Sequence, residues 1–251
     1  MDRVEIEGEE PTPAQLLAVT SAYGHFTAMQ VRDHTTRGLA LHMERLAASN
    51  REAFDAAFDP DRTRSLIRHA LGGTADASVR VYIHRGDGEP LTVVTVRPPA
   101  EMASPLRLRS VAYLRPDPHI KHVNTDQGHY REGAQGQGFD DAVLTTSDGS
   151  IAETTMANIG FLDEAGVIWP DAPMLDGITK QLLKMYGPGH GVSMRNRPVH
   201  VPEAAAMIGA FISSARGIGR VSAIDDIDLD TPQDRVDALR EVYAAVPWDE
   251  I

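Results

Sequence analysis

An α/β fold in two domains is what this sequence predicts, on three observations. Two pairs of alternating, β-branched segments read as hairpins, 24–32 with 39–41 and 78–84 with 91–96. Between and after them run stretches with apolar residues at helical spacing, beginning with Met43, Leu46 and Ala47. The proline-rich Arg115-Pro116-Asp117-Pro118 then interrupts the pattern, because proline fixes φ and restricts the residue before it. That run sets the expected boundary: residues 1–114 as a small N-terminal domain, 115–120 as linker, and 121–251 as a larger C-terminal domain.

The elements follow in order. The acidic opening passes through Pro11-Thr12-Pro13 into a short element over 14–19. Residues 24–32 alternate, 33–38 turn, and 39–41 are expected to return as the second strand. A helix begins at His42, and a second covers 62–71 and stops at Gly72-Gly73. Strands 78–84 and 91–96 flank a turn at 85–90, and 106–114 reads as a further strand. The stretch after Lys121 is expected to be helical, although each of Gly128 and Gly133 costs about 1 kcal/mol against alanine. Short strands at 142–146, 150–152, 158–162 and 167–169 form a β layer. Helices at 177–186 and 202–207 and a strand at 210–213 come next, then a closing helix from Thr231-Pro232 with Val236, Leu239 and Val242 on one face.

Composition narrows the function. The chain has 251 residues, 42% of them hydrophobic, enough for an ordinary globular core. No apolar run approaches the roughly 18 to 20 residues of a membrane span, and the start Met1-Asp2-Arg3-Val4-Glu5 lacks the basic and apolar regions of a signal peptide. Cysteine is absent, which excludes disulfides, a thiolate metal site and a cysteine nucleophile, and no metal is expected. A cytoplasmic protein is therefore expected. A net charge of −12 without a Lys/Arg cluster argues against nucleic acid as a partner.

Three regions carry residues suited to chemistry. Lys121 lies between Ile120 and Val123, where partial desolvation would favour a neutral amine able to form a Schiff base. In Leu175-Asp176-Gly177-Ile178-Thr179, Asp176 is expected to cap a helix whose free N–H groups at Ile178 and Thr179 suit a phosphate. Arg45 and the hydroxyls of Ser213 and Ser214 are candidate partners for the same phosphate. Glu153, followed by Thr154-Thr155, would keep a pyridine nitrogen protonated if those neighbours hold it inward with hydrogen bonds. Taken singly, the lysine, the helix start, the arginine and the carboxylate are more often a surface lysine, a routine helix cap, a surface arginine and a solvated turn residue, and the serines read equally as loop serines.

Their order is more specific than any one of them. Tyr23-Gly24, His42-Met43-Glu44-Arg45-Leu46, Ile120-Lys121-His122-Val123-Asn124, Gly138-Phe139-Asp140-Asp141-Ala142, Glu153 with Asn158-Ile159, and Gly177-Ile178-Thr179 occur in that sequence over 23–225. In this the chain resembles the fold type IV pyridoxal-phosphate enzymes: branched-chain and D-amino acid aminotransferases, (R)-selective amine transaminases and aminodeoxychorismate lyases. The resemblance implies a two-domain α/β fold with pyridoxal 5'-phosphate between the domains, and a homodimer whose partner helps wall each site. It implies that Lys121 forms the internal aldimine, that Glu153 pairs with the pyridine nitrogen, and that Arg45, Ile178, Thr179 and Ser214 hold the phosphate, with Ser213 a candidate beside them. Tyr23 is implied near the substrate; Thr155 is a further substrate candidate, and Arg32, Arg85 and Arg216 are candidates for a substrate carboxylate that read equally as solvated surface arginines.

The implied activity is an aminotransferase moving an amino group from an amine or amino acid to a keto acid. The alternatives are a lyase of the aminodeoxychorismate type that releases pyruvate, and a non-catalytic binding protein on the same fold. Four departures bear on the substrate. Ala28-Met29-Gln30 stands where branched-chain enzymes carry Phe-Glu-Gly, and Pro90-Leu91-Thr92 where D-amino acid enzymes place Arg-x-His. Thr125-Asp126 replaces a tyrosine common in the family, and Asp176 a common proline.

Overall fold

Side-chain alternation organises the first of the chain's two units. That unit comprises Met1–Ala100, Ile120–Asn124 and Pro247–Ile251, and the second Glu101–His119 and Thr125–Val246. The structure is a computed structural model and describes residues 2–86, 88–123 and 125–251. Asn124 of the lysine motif and Asp87 of the second turn lie outside the described residues.

In the first unit β1 (Arg3–Ile6), α1 (Pro13–Ser21), β2 (Gly24–Val31), β3 (Thr35–Arg37), α2 (Leu39–Phe54), α3 (Pro60–Leu71), β4 (Ala77–His84) and β5 (Leu91–Arg97) follow in order. Four strands form an antiparallel sheet, β1-β5-β4-β2. Along β2, Met29 and Val31 are buried while Phe26, Ala28 and Gln30 stay half-buried, and β4 repeats the pattern with Val79, Val81 and Ile83 against Ser78, Arg80 and Tyr82. The buried row packs on Leu39, Met43 and Leu46 of α2 and Ile67 and Leu71 of α3. Each such side chain contributes about 1.5–3 kcal/mol on burial.

The helix ends follow local chemistry in two cases and a distant residue in the third. Thr12 and Gln15 form a capping box at α1. Asp59 accepts from the N–H groups of Asp61 and Arg62 at α3. At α2, Gly38 takes φ +70° and the first N–H, that of Leu39, donates to Asp249 Oδ2 at 2.9 Å. The expected return strand at 39–41 is therefore the first turn of α2. Asp33 and His34, both at positive φ, make the turn instead, and β3 pairs with the C-terminal strand Trp248–Glu250.

The second unit holds β6 (Leu106–Ala112), α4 (Gln127–Gln135), β7 (Asp141–Thr145), β8 (Ile151–Thr154), β9 (Asn158–Asp163), β10 (Gly166–Pro170), α5 (Ile178–Tyr186), β11 (Met194–Arg197), β12 (Gly209–Ser214), β13 (Gly217–Ile224), β14 (Ile227–Asp228) and α6 (Gln233–Ala244). Its sheet runs β11-β10-β9-β12-β13-β6-β7-β8, with β14 on β13. Strand β6, read from sequence as the end of the N-terminal domain, sits between β13 and β7 and is parallel to both. Strand β13 was not among the expected elements. The expected helix at 202–207 is a 3₁₀ turn, Val201–Ala206, whose Glu203 accepts from the His200 N–H at 2.9 Å. The apolar face of α6 (Val236, Leu239, Val242) is buried against Leu183, Trp169 and Phe211.

Three histidines of the first unit, His25, His42 and His84, are buried, and burial lowers the pKa of each. His42 lies 2.6 Å from the Thr27 hydroxyl through Nδ1, and burial, with a smaller contribution from Arg45, lowers its pKa from 6.5 to about 3. His25 is 1% exposed and stacks on Phe54; burial first, then His122 and His84, lower it to about 4, although Asn50 acts the other way. Both stay neutral when folded, whereas the unfolded chain takes up their protons below about pH 6.5. Stability should therefore fall as pH drops through 6.5 toward 4, by roughly 3–5 kcal/mol per histidine at full titration. Urea midpoints of the wild type and His42→Asn should converge as the pH is lowered through this window. A constant gap would refute the assignment. Asp141, raised by burial, acts in the opposite sense and cancels in that difference.

Candidate active site

Residues 120–123 add to the outer edge of β2 as an antiparallel segment. The Phe26 N–H donates to the Lys121 carbonyl at 2.9 Å, the Val123 N–H donates to the Gly24 carbonyl at 3.0 Å, and His25 pairs with His122. Residues opposite one another across such a pair share a face. His122 thus goes with His25, and Lys121 goes with Phe26 on the half-buried face. Lys121 Nζ lies 4.8 Å from the Phe26 ring centroid. Phe26 stacks on Tyr82 at 5.2 Å, and Arg80, two residues along β4, donates to the Tyr82 hydroxyl at 3.2 Å with its guanidinium 5.9 Å from the Phe26 centroid.

The other candidates of this unit are spread more widely. Tyr23 is 44% exposed, 5.3 Å from the His122 ring and edge-on to Phe54. Arg45 is half-buried on α2, close enough to His42 to oppose its protonation. Arg32 donates to the Val31 carbonyl, and Arg85 donates to the Ala53 carbonyl while lying over Phe54. Arg80 was not singled out in the sequence. Its cue was its place two residues before Tyr82 in an alternating strand, which becomes meaningful once Lys121 is known to face the same side.

In the second unit a bulge aims Glu153. Leu144 pairs with Glu153 but Thr145 pairs with Ile151, so Ala152 is the extra residue on β8 and Glu153 shares the face of Leu144. The carboxylate is buried, and Oε1 accepts from Arg115 Nε at 2.8 Å. Arg115 is buried too and donates through a second nitrogen to the Pro118 carbonyl at 2.6 Å. The expected donors, Thr154 and Thr155, are engaged elsewhere: Thr154 with the Ala157 carbonyl and Thr155 with the Asp141 carboxyl. Arg115 had been read only as part of a linker. Its role depends on the β7–β8 register, which local sequence does not show.

The start of α5 offers a set of donors. Its N-cap is Gly177, with no side-chain cap among the described residues. Asp176, expected as the cap, instead pairs with the buried Lys180 at 3.2 Å. Asn158 decides this by bracketing the turn, accepting from the Gly177 N–H at 3.0 Å and donating to the Leu175 carbonyl at 2.7 Å. A Cβ at 177 would overlap Asn158 Oδ1. Ile178 and Thr179 are buried, and the Thr179 hydroxyl donates to the Ser214 carbonyl at 2.8 Å, tying β12 to the helix start. Ser213 Oγ is buried without a hydrogen-bond partner among the described residues. Ser214 Oγ accepts from the N–H of Arg216, which is itself exposed in the β12–β13 turn. An uncapped helix start and an orphaned hydroxyl fit an anion such as a phosphate ester.

The family model for amino-transferase class IV matches residues 24–224. A probable branched-chain-amino-acid aminotransferase of Synechocystis sp. is 28% identical over 43% of this chain and 37% of its own length. The chain thus matches little more than a third of that curated relative. Among solved structures, a hypothetical aminotransferase of Mycobacterium tuberculosis in its PLP-bound form superposes with a TM-score of 0.83 at 20% identity, covering 97% of this chain and 98% of that one. A candidate 4-amino-4-deoxychorismate lyase of Legionella pneumophila gives 0.79 at 20% identity, covering 91% and 93%. These likenesses establish the fold.

Removing one partner of a buried ion pair strands the other charge. Arg115→Leu should lower unfolding stability by about 3–5 kcal/mol in urea titrations, and Arg115→Leu with Glu153→Met should recover most of it. A double variant as unstable as the single one would show that the pair is not the unit of stability.

Proposed function

Because the chain belongs to the class IV amino-transferase family, we propose that it is a pyridoxal-phosphate-dependent aminotransferase, moving an amino group from an amine or amino acid to a keto acid, with Lys121 as the cofactor-bearing residue. The observation that supports this most directly is the uncapped α5 start together with the orphaned Ser213 hydroxyl, a set of donors suited to a phosphate. When bound, the cofactor supplies an aldehyde for amine exchange and a ring that accepts the electron pair left at a substrate Cα.

The chain's own residues do the rest. Lys121 Nζ would take the proton from the substrate Cα and return it at the cofactor's C4′. Glu153, oriented by Arg115, would hold a proton on the ring nitrogen. The N–H groups of Ile178 and Thr179, the hydroxyls of Ser213 and Ser214 and the guanidinium of Arg45 would bind the phosphate. Arg80 is a better candidate than Arg32 or Arg85 for a substrate carboxylate, since it shares the Lys121 face while the other two are held by carbonyls. Tyr23 and Thr155 would border the substrate. We further place the protein in the cytoplasm as a homodimer.

Borohydride should fix the cofactor to the Lys121 peptide, and Lys121→Ala should lose that label and about 10² to 10⁴ in turnover. Full turnover by this variant would remove Lys121 from the mechanism. Amine turnover that depends on a keto acid supports the aminotransferase, whereas pyruvate released from aminodeoxychorismate without an acceptor supports the lyase.

Ser213→Ala should weaken cofactor binding about 10- to 100-fold in absorbance titrations, as expected for a lost hydrogen bond to a charged group. Unchanged affinity would exclude this hydroxyl from the phosphate site.

A further inference from the structure

We propose that Phe26 is a positioning residue for Lys121, its ring face holding the amine in place and setting how readily it gives up its proton. This rests on Lys121 being the cofactor-bearing lysine, as argued above.

The backbone fixes the two residues relative to each other. The flanking hydrogen bonds from Phe26 N–H to Lys121 O and from Val123 N–H to Gly24 O make His25 and His122 a non-hydrogen-bonded pair and set Phe26 opposite Lys121. Nζ then lies 4.8 Å from the ring centroid, inside the roughly 6 Å within which a cation is attracted by an aromatic face. The ring is itself held. Phe26 is opposite Tyr82 in the β2–β4 ladder, stacks on it at 25° between planes, and Tyr82 accepts a hydrogen bond from Arg80. The Arg80 guanidinium lies 5.9 Å from the same centroid, so two cations are gathered on one ring.

Such a ring favours the ammonium form, where the negative face has a charge to attract, and it limits the directions in which Nζ can point. A side chain that only filled space would hold the lysine equally well whatever the electrons of its ring. Fluorination separates the two cases, because it drains the ring's negative face with little change in shape.

The test uses the full-length chain without cofactor, carrying phenylalanine or mono-, di- or trifluorophenylalanine at position 26. Acetic anhydride labelling is followed by mass spectrometry across the alkaline range. The chain has three lysines, so Lys184 serves as an internal reference. The half-labelling pH of Lys121 should fall stepwise with fluorine content, by about 0.5 to 1.5 units in total, while that of Lys184 stays constant. Phe26→Leu should move it in the same direction. An unchanged Lys121 profile across the fluorinated series, or an equal shift at Lys184, would overturn the proposal. Failure of borohydride to fix cofactor at Lys121 would instead reject the lysine assignment and leave this measurement readable.

Discussion

The pairing of residues 120–123 with the edge of β2 is the constraint on which the candidate lysine depends. Among the described residues it shows two backbone hydrogen bonds and a choice of register. Successive side chains in an extended segment point to opposite faces, so a slip of one residue would turn Lys121 into the histidine-lined interior and bring His122 out beside Phe26. The register is held on both faces at once. On one side His122 meets His25 and Tyr23, and on the other Lys121 meets Phe26. A lysine inside would be a costly unpaired charge, and that cost favours the observed arrangement.

The second unit solves a similar problem with a different device. Glu153 follows Ile151, whose side chain is in the apolar cluster, and strict alternation would send both to one face. The extra residue Ala152 breaks the alternation and turns the carboxylate toward Arg115. A buried carboxylate needs such a partner, and a guanidinium is the one basic side chain that keeps its charge at any working pH. At α5, Asn158 brackets the turn before the helix through the Leu175 carbonyl and the Gly177 N–H, and no side chain among the described residues caps the helix N–H groups.

Much of this was legible beforehand, for identifiable reasons. β4, β5, α3 and α6 announce themselves through alternation, helical spacing and caps within a few residues, and their expected ranges lie close to those observed. Lys121, Glu153 and the Gly177-Ile178-Thr179 turn were singled out because their chain order resembles a known family. The misses share a cause. The start of α2 depends on Asp249, and Arg115 matters only through Glu153, 38 residues later.

By itself the sequence determined the α/β character, the absence of cysteine chemistry, and the cofactor chemistry its motifs point to, because composition, periodicity and motif order are properties of the chain alone. Only the tertiary structure decided which face Lys121 occupies, which donor holds Glu153, and that Gly177 rather than Asp176 is the N-cap of α5. Each of those follows from strand register, a bulge or a contact between distant residues, and none of these is encoded within the few residues a motif spans.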